Sequence, residues 1–158
     1  MRETLGSVRL FRLVKQKYAR HALAGRGGLE ADGRWNTAGQ RIVYFSSSEA
    51  LAVLEVRVHL GTVVPADVYA LVTIELPRPG LQMLARTQWP RRWDAVPFVA
   101  ATQQLGEQWL VNSFSLALRV PSVHSRSDFN VLLNPSRPDA NRMRILSRAR
   151  YEFDGRLF

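Results

Sequence analysis

Short runs of apolar, β-branched and aromatic residues, punctuated by glycine and proline, run the length of the chain. Residues 8–14 (VRLFRLV) read as a short strand or turn that enters a basic, helical stretch. Residues 25–39 read as a loop, because Gly25, Gly27, Gly28, Gly33 and Gly39 permit backbone angles closed to other residues. A strand follows at residues 42–45 (IVYF), and Ser46, Ser47 and Ser48 then offer N-caps for a helix from about Glu49 to His59. If Ala50, Val53, Leu54 and Val58 form the core face of that helix, Glu55 falls at its edge. Residues 68–76 (VYALVTIEL) give the clearest strand, closed by Pro77 and Pro79.

Beyond Pro79 the pattern loosens. Trp89, Pro90 and Trp93 mark a turn, and Asp94 caps a helix that reaches Leu105, with Gly106 as its stop. Residues 109–111, 116–120 and 129–133 read as strands, and residues 143–153 as a final strand or pair of strands. Strands outnumber helices and do not alternate regularly with them, which predicts an α+β fold rather than a doubly wound sheet. No repeat, low-complexity tract or linker divides the chain, so residues 1–158 are expected to form a single domain.

Composition narrows the chemistry. Hydrophobic residues make up 46% of the 158 and charged residues 22%, which is ordinary for a folded domain. With no cysteine, disulfides, thiolate catalysis and thiolate metal sites are excluded. His21, His59 and His124 are too scattered to suggest a metal site. Residues 50–60, the best apolar stretch, are interrupted by Glu55 and Arg57, and the N-terminus lacks a signal-peptide core, so a cytoplasmic protein with no membrane partner is expected. The net charge is +9, and only Lys15 and Lys17 among the basic residues are lysines. Such a field favours an anionic partner, and guanidinium groups suit bidentate phosphate binding. A basic nucleic-acid-binding module is one reading. Against it, the arginines are dispersed and no helix-turn-helix, zinc-finger or RNA-binding signature is present.

The most informative segment is Gly33-Arg34-Trp35-Asn36, followed by Gly39, Tyr44, Ser46, Ser47 and Glu55. A glycine loop presents an arginine and a large aromatic, then feeds a strand bearing a tyrosine and a helix bearing a carboxylate. A carboxylate at the edge of a core face is costly to bury unless it is paired or working. The plainer alternatives are a solvated glutamate beside Arg57, a surface arginine beside a core tryptophan, and an ordinary strand tyrosine. Gly25-Arg26-Gly27-Gly28 is no phosphate-binding P-loop, because the Gly-Lys-Ser/Thr that should follow is missing.

Taken together, Arg12 in RLFR, Gly33-Arg34-Trp35-Asn36, Gly39, Tyr44-Phe45-Ser46-Ser47 and Glu55 resemble the first half of a RES domain. Gly106, Trp109, Val120-Pro121-Ser122, Asn130, Asn134-Pro135 and Phe153-Asp154 continue the resemblance in order, from about Val8 to Leu157. By motif match, the Arg, Glu and Ser that name the family fall on Arg34, Glu55 and Ser122. The resemblance implies a split, mostly antiparallel sheet related to the ADP-ribosyltransferase toxins, with NAD as substrate and no metal. It further implies a toxin of a type II toxin–antitoxin system that cleaves the nicotinamide–ribose bond, depleting NAD by hydrolysis or phosphorolysis, or alternatively ADP-ribosylates a host protein. The expected partner is an Xre-like helix-turn-helix antitoxin whose C-terminal region blocks the cleft, with DNA contacted only through it, in a homodimer or higher-order assembly. Arg137 stands where family members often carry a histidine after Asn-Pro.

Cleavage of that bond builds positive charge on the ribose, which a preorganised carboxylate stabilises. Glu55 is expected in this role, or in orienting the ribose hydroxyls or the nucleophile. Arg34 and Arg12 are expected to hold the pyrophosphate, and Tyr44 to pack on the nicotinamide or donate to it. Ser122 would bond the carboxamide or a ribose hydroxyl, its plainer role being a turn serine. Asn130 would add a cofactor contact, its plainer role being a backbone bond at a strand edge.

Overall fold

The computed structural model describes residues 6–112 and 114–158; the N-terminal residues on which the absence of a leader was read lie outside them. Seven strands form one sheet: β1 (Ser7–Lys15), β2 (Val43–Ser46), β3 (Tyr69–Pro77), β4 (Leu81–Met83), β5 (Ala117–Pro121), β6 (Phe129–Leu133) and β7 (Arg144–Tyr151). Their order is β4-β5-β6-β2-β1-β3-β7, and every pair is antiparallel except β4 with β5. Pairing is extensive on both sides of the sheet: β1 and β3 align from Ser7↔Pro77 to Lys15↔Tyr69. Between β1 and β2 it shrinks to Phe11↔Ser46. The sheet is therefore continuous but opened along this seam, which is the physical form of the expected split.

Strand alternation separates two faces. Leu10, Val43, Phe45, Val72, Ile74, Leu76, Val131 and Leu133 are buried together on one. The other carries two smaller cores. Leu13 and Tyr69 pack with Ala52 of helix α2 (Glu49–Arg57), while Leu118, Val120 and Leu132 pack with Trp35 and with Trp109 of helix α3 (Ala100–Asn112).

Helix α2 starts as its serines predict, with the Ser48 side chain accepting from the Leu51 N–H. Its buried face differs from the expectation. Leu51 and Ala52 are buried, whereas Ala50, Leu54 and Val58 are exposed. Glu55 lies four residues beyond Leu51 and three beyond Ala52, so it sits within the inward face rather than at its edge.

The region between residues 94 and 112 also departs from the sequence reading. The helix begins at Ala100 rather than near Asp94, runs through Gly106 and takes in residues 109–111, which were read as a strand. Gly106 is a point of contact, not a stop: a Cβ there would lie 1.9 Å from the carbonyl oxygen of Trp35. The stretch 25–39, expected as loop throughout, contains the short helix α1 (Arg26–Glu30), with Gly25 as its N-cap at positive φ, and a second positive φ at Gly39.

The Gly33–Asn36 turn is gripped from two sides. From α3, the Gln103 side-chain amide donates to the carbonyls of Gly33 and Asn36, and Glu107 accepts from the Thr37 N–H. From β2, the Tyr44 hydroxyl donates to Asn36 Oδ1 at 2.6 Å and accepts from the Trp35 N–H at 3.1 Å. Asn36 in turn donates to the carbonyls of Ala31 and Thr37.

Two substitutions test this scaffold. Gly106→Ala, which in a free helix would gain about 1 kcal/mol, is expected to destabilise the protein by about 2 kcal/mol or more through overpacking, seen as a lower denaturation midpoint in urea. Tyr44→Phe strands the buried Asn36 oxygen and Trp35 amide, and is expected to cost about 1–3 kcal/mol; an unchanged midpoint would show that the turn does not depend on the hydroxyl.

Candidate active site

Over the seam lies a cavity of about 570 Å³, lined by Phe11 and Leu13 of β1, Tyr44 and Ser46 of β2, Glu55 and Val56 of α2, and the 32–35 and 96–98 segments. A second hollow, of about 720 Å³, lies between α3 and the β4–β5 edge, but every residue lining it is uncharged. Chemistry, not size, marks the first as the candidate site.

Glu55 is the best-held group in it. Its Oε1 accepts from the Asn130 side-chain amide at 2.6 Å and from the Ser122 hydroxyl at 3.2 Å. Asn130 is itself oriented by Ser46, whose hydroxyl donates to Asn130 Oδ1 at 3.1 Å. These partners come from adjacent strands: Asn130 is opposite both Ser46 and Val120 in the ladder, and Ser122 directly follows β5. The other oxygen, Oε2, lies 3.6 Å from His124 Nε2. With its side chain 30% exposed, the carboxylate is fixed yet open to the cavity.

Arg12 occupies the seam. Its Nη1 donates to the Tyr44 carbonyl at 3.0 Å, replacing a ladder bond that β1 and β2 do not make there. Its Nε is buried without a hydrogen-bond partner, and burial pulls the guanidinium down to about 10. Arg34 reaches across the cavity, donating from Nη1 to the carbonyls of Trp93 and Ala95 at 2.8 Å each. Burial lowers its pKa, against the favourable charges of Glu55 and Asp94. Tyr44 contributes its ring to the cavity wall, while its hydroxyl donates back into the 33–36 turn. Burial pushes this phenol well above its ordinary range, so it stays protonated.

The structure thus brings five of the six expected residues, Arg12, Arg34, Tyr44, Glu55 and Asn130, to one cavity. Ser122 is buried behind Glu55 and holds the carboxylate instead of lining the space. Arg137 pairs with Asp139 and takes no part in the lining. The sequence reading missed His124, His59 and the 96–98 wall. His124 reads in the sequence only as an isolated histidine, although it stands two residues after Ser122. Among the described residues, no group of three or more His, Asp or Glu side chains could hold a metal ion, and no helix is long and apolar enough to cross a membrane.

Comparison with known proteins agrees with this architecture. Residues 9–154 match the RES domain. A protein named Toxin Res from Photorhabdus laumondii is 34% identical over 149 residues, spanning 94% of this chain and 96% of its own length. A Prs ADP-ribosylating toxin from a Sphingobium species is 36% identical over 144 residues, spanning 89% of each. A Toxin Res from Yersinia enterocolitica is 35% identical over 126 residues, spanning 80% of this chain and 83% of its own. A chain of the M. tuberculosis MbcT–MbcA toxin–antitoxin complex shares the fold, with a TM-score of 0.65 at 17% identity over 93% of this chain and 85% of that one. With nearly its whole length matched and a mostly antiparallel sheet opened at one seam, the chain belongs to the RES domain family.

Proposed function

We propose that the chain is the toxin of a toxin–antitoxin pair and that it breaks the bond between nicotinamide and ribose in NAD. The observation that carries this reading is the Glu55 carboxylate, pinned by Ser122 and Asn130 at the wall of a cavity that also holds two guanidinium groups. Breaking that bond builds positive charge on the ribose, and a carboxylate already oriented toward it needs no reorganisation as the charge develops. The volume of about 570 Å³ lies within the roughly 300–1,000 Å³ typical of small-molecule sites.

The diphosphate has partners of its own in this reading. Arg34 bonds to the protein through Nη1, leaving Nε and Nη2 for a phosphate oxygen. Arg12, bound to the β2 backbone, adds positive field from the seam and an unsatisfied buried N–H. Tyr44 offers a ring face to the nicotinamide. Ser122 and Asn130 act through Glu55, the first entirely so.

Two fates of the ADP-ribosyl group share this first step. Transfer to water or phosphate would deplete NAD. Transfer to a protein is the second reading, favoured by the name of the Sphingobium relative, an ADP-ribosylating toxin. The structural neighbour was solved in a toxin–antitoxin complex, and here the exposed apolar residues Val58, Val96, Pro97 and Phe98 ring the cavity. An Xre-like antitoxin whose C-terminal region covers this rim would silence the site, with DNA reached only through that partner, in the cytoplasm.

Purified chain freed of any partner is expected to release nicotinamide from NAD, followed by chromatography with and without phosphate. Glu55→Gln should lower kcat by roughly 10²–10³-fold at an unchanged melting temperature. Ser122→Ala removes one bond to a charged acceptor and should lower kcat about tenfold. Full turnover in Glu55→Gln would remove the carboxylate from the reaction.

A further inference from the structure

Proton balance separates the two ends of this cleavage. When the nicotinamide–C1′ bond breaks, its electron pair passes to the positively charged ring nitrogen, and nicotinamide leaves as a neutral molecule with no proton required. The acceptor has the opposite need. Water or a side-chain hydroxyl must lose its proton as its oxygen forms the new bond to C1′, whereas phosphate brings an oxygen that is already anionic. With a hydroxyl acceptor the reaction therefore calls for one base and no acid.

Glu55 is already committed to another task. Its Oε1 accepts two hydrogen bonds, and taking a proton would remove the negative charge from beside the sugar cation. His124 stands at the other side of the same carboxylate. Its Nε2 is 3.6 Å from Glu55 Oε2, its ring lines the cavity, and its side chain is 25% exposed. The loop that carries it is held in place, because the His124 backbone N–H donates to Ser122 Oγ at 3.1 Å, so one serine hydroxyl bonds both the carboxylate and the backbone from which the imidazole extends.

We propose that His124 is the general base that takes the proton from the acceptor hydroxyl, an assignment that rests on Glu55 facing the ribose of NAD. The acceptor O–H bond breaks, its proton goes to His124 Nε2, and its oxygen bonds to C1′. The positive charge leaves the sugar and arrives on the imidazole, and Glu55 adjoins both places. The carboxylate therefore faces one positive charge before and after the transfer, and never two or none.

The other ionisable groups around this cavity are accounted for. In the turn just after α2, His59 lines the cavity and is exposed. Arg12 on β1 and Arg34 on the turn are donors only, and Asp32 beside Arg34 accepts from the Ala38 N–H. Tyr44 on β2 donates to Asn36. Asp128, on the loop of His124, is turned to the hydroxyls of Ser47 and Ser125. Imidazole is also the side chain that most readily exchanges a proton near neutral pH.

The test uses the full chain in phosphate-free buffer, with NAD turnover followed as nicotinamide release and melting temperature as the check on folding. His124→Gln keeps a polar side chain of similar reach but has no basic nitrogen. It is expected to lower kcat about a hundredfold, to leave the NAD-induced rise in melting temperature intact, and to flatten the acidic limb of the pH profile of kcat/KM. In His124→Ala, added imidazole should restore turnover in proportion to its concentration. Wild-type kcat with an unaltered acidic limb in His124→Gln would overturn the base assignment, and a concurrent loss in Glu55→Gln would leave the NAD reading standing. A wild-type chain that releases no nicotinamide would sink both.

Discussion

Between β1 and β2 the sheet is joined at Phe11↔Ser46 and little else, and the site depends on that restraint. Had the two strands zipped along their length, no seam would lie beneath the cavity and Tyr44 would have spent its carbonyl on a neighbouring strand. Instead Arg12 supplies the missing donor. Placing a guanidinium where a ladder bond would have been is costly, as its lowered pKa and unpaired Nε record. The gain is an open floor between two well-paired halves.

Each chemical group is set on a rigid element. Helix α2 carries Glu55 on its inward face, β6 carries Asn130, and the end of β5 carries Ser122 and leads to His124. Arg34 sits on a turn, where positioning is normally loose, but that turn is held by Tyr44 from the sheet and by Gln103 and Glu107 from α3. Gly106 lets the helix come close enough for those two side chains to reach. A glycine remote from the carboxylate thus bears on where the arginine stands.

Much of this was legible in the sequence. The alternating residues of β3, the β-branched run of β2 and the serines before α2 each declared their element, and the order of short motifs pointed to Arg34 and Glu55. What misled was local chemistry overridden by contact. Gly106 looks like a helix stop when read alone, because nothing in the sequence near it reveals that the backbone of Trp35 lies against it. The apolar stripe of α2 could be drawn through Ala50 and Leu54 or through Leu51 and Ala52, and only packing against Leu13 and Tyr69 decides. Ser122 lies beside the cavity, but its hydroxyl turns to Glu55 rather than into the open space, which its place in the sequence does not reveal. His124 carries no periodic signal, since its position follows from a loop that folds back onto Ser122.

The alignment of β6 carries a final consequence. Asn130 stands across from Ser46 on one side and Val120 on the other. A slip of this strand by a single residue would send its amide to the opposite face of the sheet. Glu55 would then lose its tightest partner even though backbone pairing survived. Strand registration and the seating of Glu55 are thereby coupled, so a chain that is merely compact, with its strands mispaired, would leave this carboxylate unheld.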